Sequence, residues 1–344
     1  MRIKLRPLAE QVVVITGGSS GIGLATGRAA AKRGAAVVLA ARNADDVRRA
    51  ADVIRADGGR AIGVPADVSR QEDMERLAQA AIDAFGHIDT WVNNAGLSVY
   101  GATLEVPTSD ERRLFDTNYW GVVHGCRAAV PHLRRRGGAL INMGSIVSDR
   151  AAPLQAAYVA SKHAIKGYTD TLRMELEKDR APISVTLVKP AGIDTPFFEH
   201  ARSYMVDGEP KPPPPVYAPD AVAEAVLRAA EEPVRDVTVG GAGRFMTFLG
   251  TVAPRLSDLY METLMFAGQQ DRSRPADLRE GNLEAPLPDG RTRGRYEGPV
   301  LKRSACTRAA LSDVGRALPY LALGFAGWAF LRGLGVPRSA GAGA

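Results

Sequence analysis

Val12-Val13-Val14-Ile15-Thr16-Gly17-Gly18-Ser19-Ser20-Gly21-Ile22-Gly23 is the stretch on which the fold turns. Its first five residues are an apolar, mostly β-branched run, the composition of a strand covered on both faces. A helix opens at its far end, so the residues between form a strand-to-helix turn. Gly17, Gly21 and Gly23 let the backbone approach a pyrophosphate, whose charge is favoured by the N–H groups and positive end of the helix. Thr16, Ser19, Ser20 and Ile22 complete the candidate contacts of this dinucleotide site. The spacing is GxxxGxG, which differs from the commoner GxGxxG.

Outward from this turn, strand and helix patterns alternate. Short apolar runs recur at 36–40 (AVVLA), 61–66 (AIGVPA), 90–93 (TWVN), 139–143 (ALINM) and 183–188 (ISVTLV). Segments with helical spacing lie between them, at 45–56, 71–85 and 155–178. A helix at 220–232 and the run DVTVG add a last helix and an edge strand. Such alternation implies right-handed crossovers and an α/β fold, a doubly wound parallel sheet with helices on both faces. The run KPPPPVYAPD (211–220) cannot continue a helix and reads as a mobile loop over the site. After Gly240 the alternation stops. Residues 243–266 read as helices broken at Pro254, either a substrate lid or extra core packing. Residues 269–303, rich in Arg, Pro, Gly and Asp, have linker composition. The expected organisation is a nucleotide-binding catalytic domain over 1–268, a linker over 269–303 and a tail over 304–344, a C-terminal helical extension.

Composition narrows the function. Hydrophobic residues make up 45% and charged residues 24%, enough apolar side chain for a sizeable core. The net charge of +6 is concentrated at the C-terminus. From Arg291 onward there are nine basic and two acidic residues, against totals of 44 and 38, so the remainder is near neutral. A basic groove across the domain is not indicated, and nucleic acid is not an expected partner. Cys126 and Cys306 are far apart and outside any CxxC spacing, reading as free thiols in a reducing compartment. The N-terminus MRIKLRPLAEQ lacks the apolar stretch of a secretory signal, so the expected location is cytoplasmic. His124, His132 and His163 have no partner at ligand spacing, and no metal is expected.

Further motifs follow the glycine turn in a fixed order. Asn93-Asn94-Ala95-Gly96 ends the fourth strand, Asp67 and Val68 follow the third, and Asn118 lies in Asp116-Thr117-Asn118. Ser145 follows the fifth strand, and Tyr158-Val159-Ala160-Ser161-Lys162 reads YxxxK. In this order the motifs resemble the short-chain dehydrogenase/reductase family over residues 8–240. The resemblance implies a Rossmann-like fold, a homo-oligomer and catalytic roles for Asn118, Ser145, Tyr158 and Lys162. It implies that Asp67, Val68, Asn94, Ala95 and Gly96 border the adenine, that Lys162 holds the nicotinamide ribose and that Asn118 positions a relay water. Pro190, Ile193 and Thr195 correspond to the segment that contacts the carboxamide. Ala191 replaces the usual glycine there, and a backbone conformation requiring glycine would be disfavoured.

The chemistry of these side chains can be argued independently. Tyr158 and Lys162, four residues apart on a helix, project from one face. An adjacent ammonium is expected to lower the phenol from its ordinary pKa near 10, letting Tyr158 act as acid or base. In carbonyl reduction Tyr158 would protonate the developing alkoxide, while Ser145 hydrogen-bonds the same oxygen. The second strand ends in Ala40-Ala41-Arg42. Relatives that prefer NAD usually carry an acid at the position of Ala41; here Arg42 offers a charged fork suited to the 2′-phosphate of NADP(H). The leading reading is therefore an NADP(H)-dependent oxidoreductase acting on a ketone, aldehyde or secondary alcohol. Its lipophilic character is suggested by the apolar segments 196–218 and 245–266. The alternative is a non-catalytic cofactor-binding scaffold, which would need only the glycine turn. A nucleotide-sugar epimerase fits less well because of its different glycine spacing.

The tail poses a separate question. Residues 317–331 form an uncharged run between Arg316 and Arg332. As a helix it would be about 22 Å long, short of a hydrocarbon core of roughly 30 Å. With Arg332 snorkelling, the run extends through 337 and comes near spanning length. Its two readings are membrane association and packing on protein.

Overall fold

The computed structural model describes residues 3–274 and 281–312. Strands β1 (Val12–Thr16), β2 (Ala36–Ala41), β3 (Arg60–Pro65), β4 (Thr90–Asn93), β5 (Gly138–Met143), β6 (Ile183–Pro190) and β7 (Asp236–Val239) form one sheet. Their order is β7-β6-β5-β4-β1-β2-β3, and every neighbouring pair is parallel. β1 shows why its sequence is continuously apolar. Val13 and Ile15 face one side and join Leu24, Val37, Val47 and Val222, whereas Val12 and Val14 face the other with Met74, Trp91, Leu133 and Ile165. The period-2 alternation of a strand therefore meets a helix layer on both faces.

Helices α1 (Gly21–Lys32), α2 (Ala44–Ala56) and α7 (Pro219–Glu231) make the first layer, and α3 (Gln71–Phe85), α5 (Gly121–Arg136) and α6 (Ala156–Lys178) the second. Between α4 (Thr108–Phe115) and α5 the chain stays helical through a wide turn at Asp116–Trp120. Such turns displace the residues they contain from the regular helical face, and this one carries Asn118. Strand order reverses between β1 and β4, so the cleft outside their carboxyl ends is where a doubly wound sheet binds ligands.

The C-terminal third departs most from expectation. The proline-rich loop is tied down: Val216–Tyr217 pairs with Gly192–Ile193 on one side and Val300–Leu301 on the other. Residues 243–266 do form helices, α8 (Gly241–Val252) and α9 (Pro254–Tyr260), with Pro254 opening the second and further helical turns continuing to Gly268. They are not extra core. Phe245, Phe248, Val252, Leu256, Leu259 and Leu264 are all exposed.

The segment expected as a linker lies along the domain in its described part. Gln270–Asp271 pairs with Glu209–Pro210, Leu283 is buried, and α10 (Ala305–Leu311) is fastened to β7 by Thr307 Oγ1 donating to Thr238 O at 3.1 Å. Main-chain hydrogen bonds and ion pairs do most of this fastening, and neither leaves an apolar period in the sequence. The 317–337 run lies outside the described residues. Among the described residues, no helix is long and apolar enough to cross a membrane.

Candidate active site

The glycine turn closes only because side chains are missing. Gly17 and Gly21 have φ of +65° and +52°, the left-handed region that glycine adopts without strain. A Cβ on Gly23 would lie 2.1 Å from Gly17 O, and one on Gly17 would lie 2.9 Å from Ala95 Cα. The chain folds back tightly enough to put the first N–H groups of α1, which lack helical acceptors, at the cleft. Thr16 and Asn94 hold the floor across the switch point. Asn94 N and Ala95 N donate to Thr16 Oγ1 at 3.0 and 3.1 Å, and Asn94 Nδ2 donates to Thr16 O at 2.9 Å. Behind them Asn93 Nδ2 donates to Asn142 Oδ1 at 2.8 Å, binding β4 to β5.

One cavity of about 290 Å³ runs from this turn to Tyr158. Of the predicted residues, Gly17, Ser19, Ser20, Gly21, Ile22, Arg42, Asp67, Val68, Asn94, Ala95, Gly96, Ser145, Tyr158, Lys162, Pro190, Ile193 and Thr195 line it. Thr16, Gly23 and Asn118 stand behind its wall. In the part of the cavity beside Arg42, Asp67 accepts from Ser69 N at 2.9 Å and from Arg113 Nη2 at 3.2 Å. Burial alone would raise its carboxyl, but these Ser69 and Arg113 bonds win and hold it below the ordinary range. Tight glycines, helix-end donors and a nearby guanidinium suit a nicotinamide dinucleotide, with its diphosphate at the glycine turn and its adenosine toward Asp67 and Arg42. Ala191 causes no strain: the non-glycine residues with positive φ among the described ones are Leu154 and Arg180. Its N–H donates to Val239 O at 2.9 Å.

Arg42 differs from expectation. Its Nη1 donates to Leu283 O at 3.2 Å and Glu284 O at 3.1 Å, and its Nη2 donates to Asn282 O. The fork expected to await a phosphate clamps main-chain carbonyls from the C-terminal segment. Burial, and Arg113 nearby, lower its pKa.

At the other end Ser145, Tyr158 and Lys162 converge. Ser145 Oγ accepts from Val147 N at 3.3 Å and reaches Pro190 O at 3.5 Å, Lys162 Nζ donates to Met143 O at 2.8 Å, and that nitrogen lies 5.5 Å from the Tyr158 ring centroid. Burial pushes the Tyr158 phenol up to about 12, with the Ser145 hydroxyl pulling the other way, and it drops the Lys162 ammonium to about 8. The expectation that the ammonium would lower the phenol is thus reversed in the chain alone. Desolvation of both groups outweighs an attraction that acts across the ring face. Asn118 is fully buried; its Oδ1 accepts from Leu97 N at 2.7 Å and its Nδ2 reaches Leu97 O and Ser161 Oγ at 3.0 and 3.1 Å. It fastens the loop after β4 to α6.

Sequence reasoning missed several lining residues. Gln155 Nε2 donates to Tyr100 OH at 2.7 Å and also bonds Gln269 Oε1, a buried polar group in the same cavity as Tyr158. Gln155 stands three residues before Tyr158, so helical spacing alone could have found it. Phe197, packed 5.6 Å from the Tyr158 ring, and Met246, Met261 and Met265 fall in the segments 196–218 and 245–266 singled out as apolar in the sequence, and they add an apolar wall. Asn282, Pro286 and Leu287 also line the cavity, from a segment whose composition concealed it.

Comparison with known proteins agrees with this geometry. The family model described as short chain dehydrogenase matches residues 11–205. An uncharacterized oxidoreductase, YxnA, of Bacillus subtilis (strain 168) is 45% identical over 334 residues, 95% of this chain and 92% of that protein. The 11-beta-hydroxysteroid dehydrogenase A of Sesamum indicum is 35% identical over 67% of this chain and 68% of its own. Among solved structures, an alcohol dehydrogenase from the archaeon Thermococcus sibiricus, complexed with 5-hydroxy-NADP, superposes with a TM-score of 0.59 at 28% identity. The match covers 67% of this chain and 95% of that one.

Proposed function

The chain belongs to the short-chain dehydrogenase family of oxidoreductases, and from that premise we propose that it is an NADP(H)-dependent enzyme interconverting a lipophilic ketone or aldehyde with its alcohol, Tyr158 transferring the proton. The observation that carries this reading is the convergence of Ser145, Tyr158 and a buried Lys162 in the same cavity as the glycine turn. A bound nicotinamide supplies or takes the hydride. Ser145 donates to the substrate oxygen and holds it beside the Tyr158 hydroxyl. With its phenol near 12, Tyr158 is a proton donor at neutral pH, ready to protonate an alkoxide in the reducing direction. Lys162, charged below about pH 8, favours the phenolate left behind. Asn118 keeps the loop after β4 and helix α6 in register, so the donors stay aligned; a water relay through it belongs to the same reading.

Preference for NADP(H) rests on Arg42 and on the absence of an acid at Ala41. A guanidinium has five N–H donors, and the carbonyls of Asn282, Leu283 and Glu284 leave an Nε and an Nη2 hydrogen for a phosphate edge-on. The neighbour solved with an NADP analogue accords with this. A lipophilic substrate is supported by Phe197 and the methionines of the lid, side chains that adapt to irregular apolar shapes; the relative named as a hydroxysteroid dehydrogenase points the same way. A homo-oligomer and a tail in contact with lipid or protein complete the proposal. The test is a panel of small and bulky carbonyls and secondary alcohols, assayed with each reduced and oxidised dinucleotide. Turnover of apolar ketones with NADPH favoured over NADH, and a preference that collapses in Arg42→Ala, is the expected result. Equal efficiency with both cofactors in both proteins would refute the cofactor assignment.

A further inference from the structure

A stretch of the C-terminal extension crosses the adenosine half of the cleft and is stitched down on both sides. At its first end the carbonyls of Asn282, Leu283 and Glu284 all accept from Arg42. There the Leu283 side chain, 1% exposed, is buried with Leu97, Val99 and Leu114. In the middle, Asp289 N donates to Asp46 Oδ2 at 2.9 Å at the start of α2. The Asp289 carboxylate gathers Gly290 N and Arg291 N at 2.7 Å and pairs with His200 Nε2 at 2.9 Å. At the far end Gly21 N, in the glycine turn itself, donates to Arg291 O at 2.9 Å. Arg291 also pairs with Glu199 at 2.9 Å. Between these fastenings Pro286 and Leu287 line the cavity opposite the turn, and Leu287 keeps 40% of its surface exposed.

We propose that residues 282–291 are a second wall of the dinucleotide site, a strap under which the adenosine half of the cofactor is held and which must lift for the cofactor to enter or leave. The inference rests on the nicotinamide-dependent reading above. Three features carry it. The strap is anchored to two elements of the proposed dinucleotide site, the glycine turn at Gly21 and the end of β2 at Arg42, rather than to a remote surface. Its free span presents apolar side chains to the cleft, which suit the faces of an adenosine. Its fastenings are buried or charge-assisted, so they do not open with ordinary loop motion. The family match ends at residue 205, so the strap is an addition to the shared dinucleotide site. The match to the Bacillus relative, covering 95% of this chain, reaches into the same extension.

The strap can be loosened without touching the cleft, because neither Leu283 nor Asp289 lines it. Full-length protein, Leu283→Ala and Asp289→Ala would be loaded with NADPH, and release followed by the loss of bound-nicotinamide fluorescence on a chase with excess NADP+. Release at least about tenfold faster in both variants is expected, a change of about 1.4 kcal/mol in the barrier. In parallel, trypsin cleavage at Arg291, Arg293 and Arg295 should be slowed by NADPH in the unmodified protein and little affected by it in the variants. Melting curves identify a variant that has merely lost its fold, in which case the other variant decides. Release within about twofold of the unmodified rate in a folded variant, with cleavage indifferent to NADPH, would overturn the strap alone. An unmodified protein that binds neither dinucleotide would overturn the oxidoreductase reading and the strap with it. Binding without turnover on any carbonyl would count against the substrate assignment, and the strap would still be decided by its release rates.

Discussion

Tyr158 and Lys162 show how burial changes the meaning of a motif. Four-residue spacing brings them to one face, but the direction of each pKa depends on how completely the fold removes them from water. Tyr158→Phe deletes the hydroxyl and leaves the ring against Phe197. Turnover should fall by about a hundredfold to ten-thousandfold, the usual worth of a positioned acid or base, while cofactor binding measured by fluorescence titration stays within about twofold. Retained turnover in that variant would exclude Tyr158 as the proton donor. Lys162 offers a test that needs no substrate. Its folded pKa of about 8 lies below the ordinary 10.5, so between these values the unfolded chain binds more protons than the folded one. Stability contributed by this group must rise with pH in that window. Melting at about pH 7 and pH 9 should show unmodified protein gaining on Lys162→Met, and an unchanged difference between the two would mean that the ammonium is not desolvated. In kinetics, the same ionisation should give carbonyl reduction a kcat/KM that declines above about pH 8, as Lys162 loses its proton.

At the scale of elements, the strand-turn-helix unit and the helices after Gly240 differ in how much freedom they tolerate. The turn has none at Gly23, where an added methyl would overlap Gly17 O at 2.1 Å. Gly23→Ala should therefore weaken dinucleotide binding by about tenfold or more, read by fluorescence titration, with the far-UV circular dichroism little changed. Undiminished affinity would mean that the helix start does not hold the diphosphate. Helix α8 and the helical turns that follow α9 behave in the opposite way, lining the cavity with Met246, Met261 and Met265 and leaving Phe245, Phe248 and Leu264 in solvent. Arg150, paired with Asp258, ties them to the loop after β5. Met246→Trp should raise KM for bulky ketones several-fold more than for small ones, since added volume on this wall subtracts from substrate space. Equal effects on large and small substrates would place Met246 away from the bound substrate.

On the scale of the whole molecule, the extension after Gly240 divides into a part that belongs to the domain and a tail beyond residue 312 that the structure does not describe. A chain ending at 270 loses the strap and the pairing of Val300–Leu301 with Val216–Tyr217. It also uncovers the pocket that Leu283 fills, and a fall in melting temperature is expected. A chain ending at 312 keeps all of these, so it isolates the tail: if 317–337 contacts lipid, this version alone should move from membrane pellet to supernatant at high salt with unchanged turnover. Identical partition of full-length and 312 chains would leave packing on protein as the tail's role. The alternation of VVVIT, AVVLA and ISVTLV with helical segments was enough to specify a doubly wound sheet, because continuous burial on both faces requires continuous apolar strands. The glycine turn and YxxxK were legible for a similar reason: backbone approach and a shared helical face are local properties, written in spacings of a few residues. Tertiary structure alone decided that 282–291 lies over the cleft and that Arg42 clamps it. Those contacts run through carbonyls, single carboxylates and one buried leucine, which leave no periodic trace in sequence. It also decided the protonation of Tyr158 and Lys162, because desolvation is set by everything packed around a group and not by its neighbours along the chain.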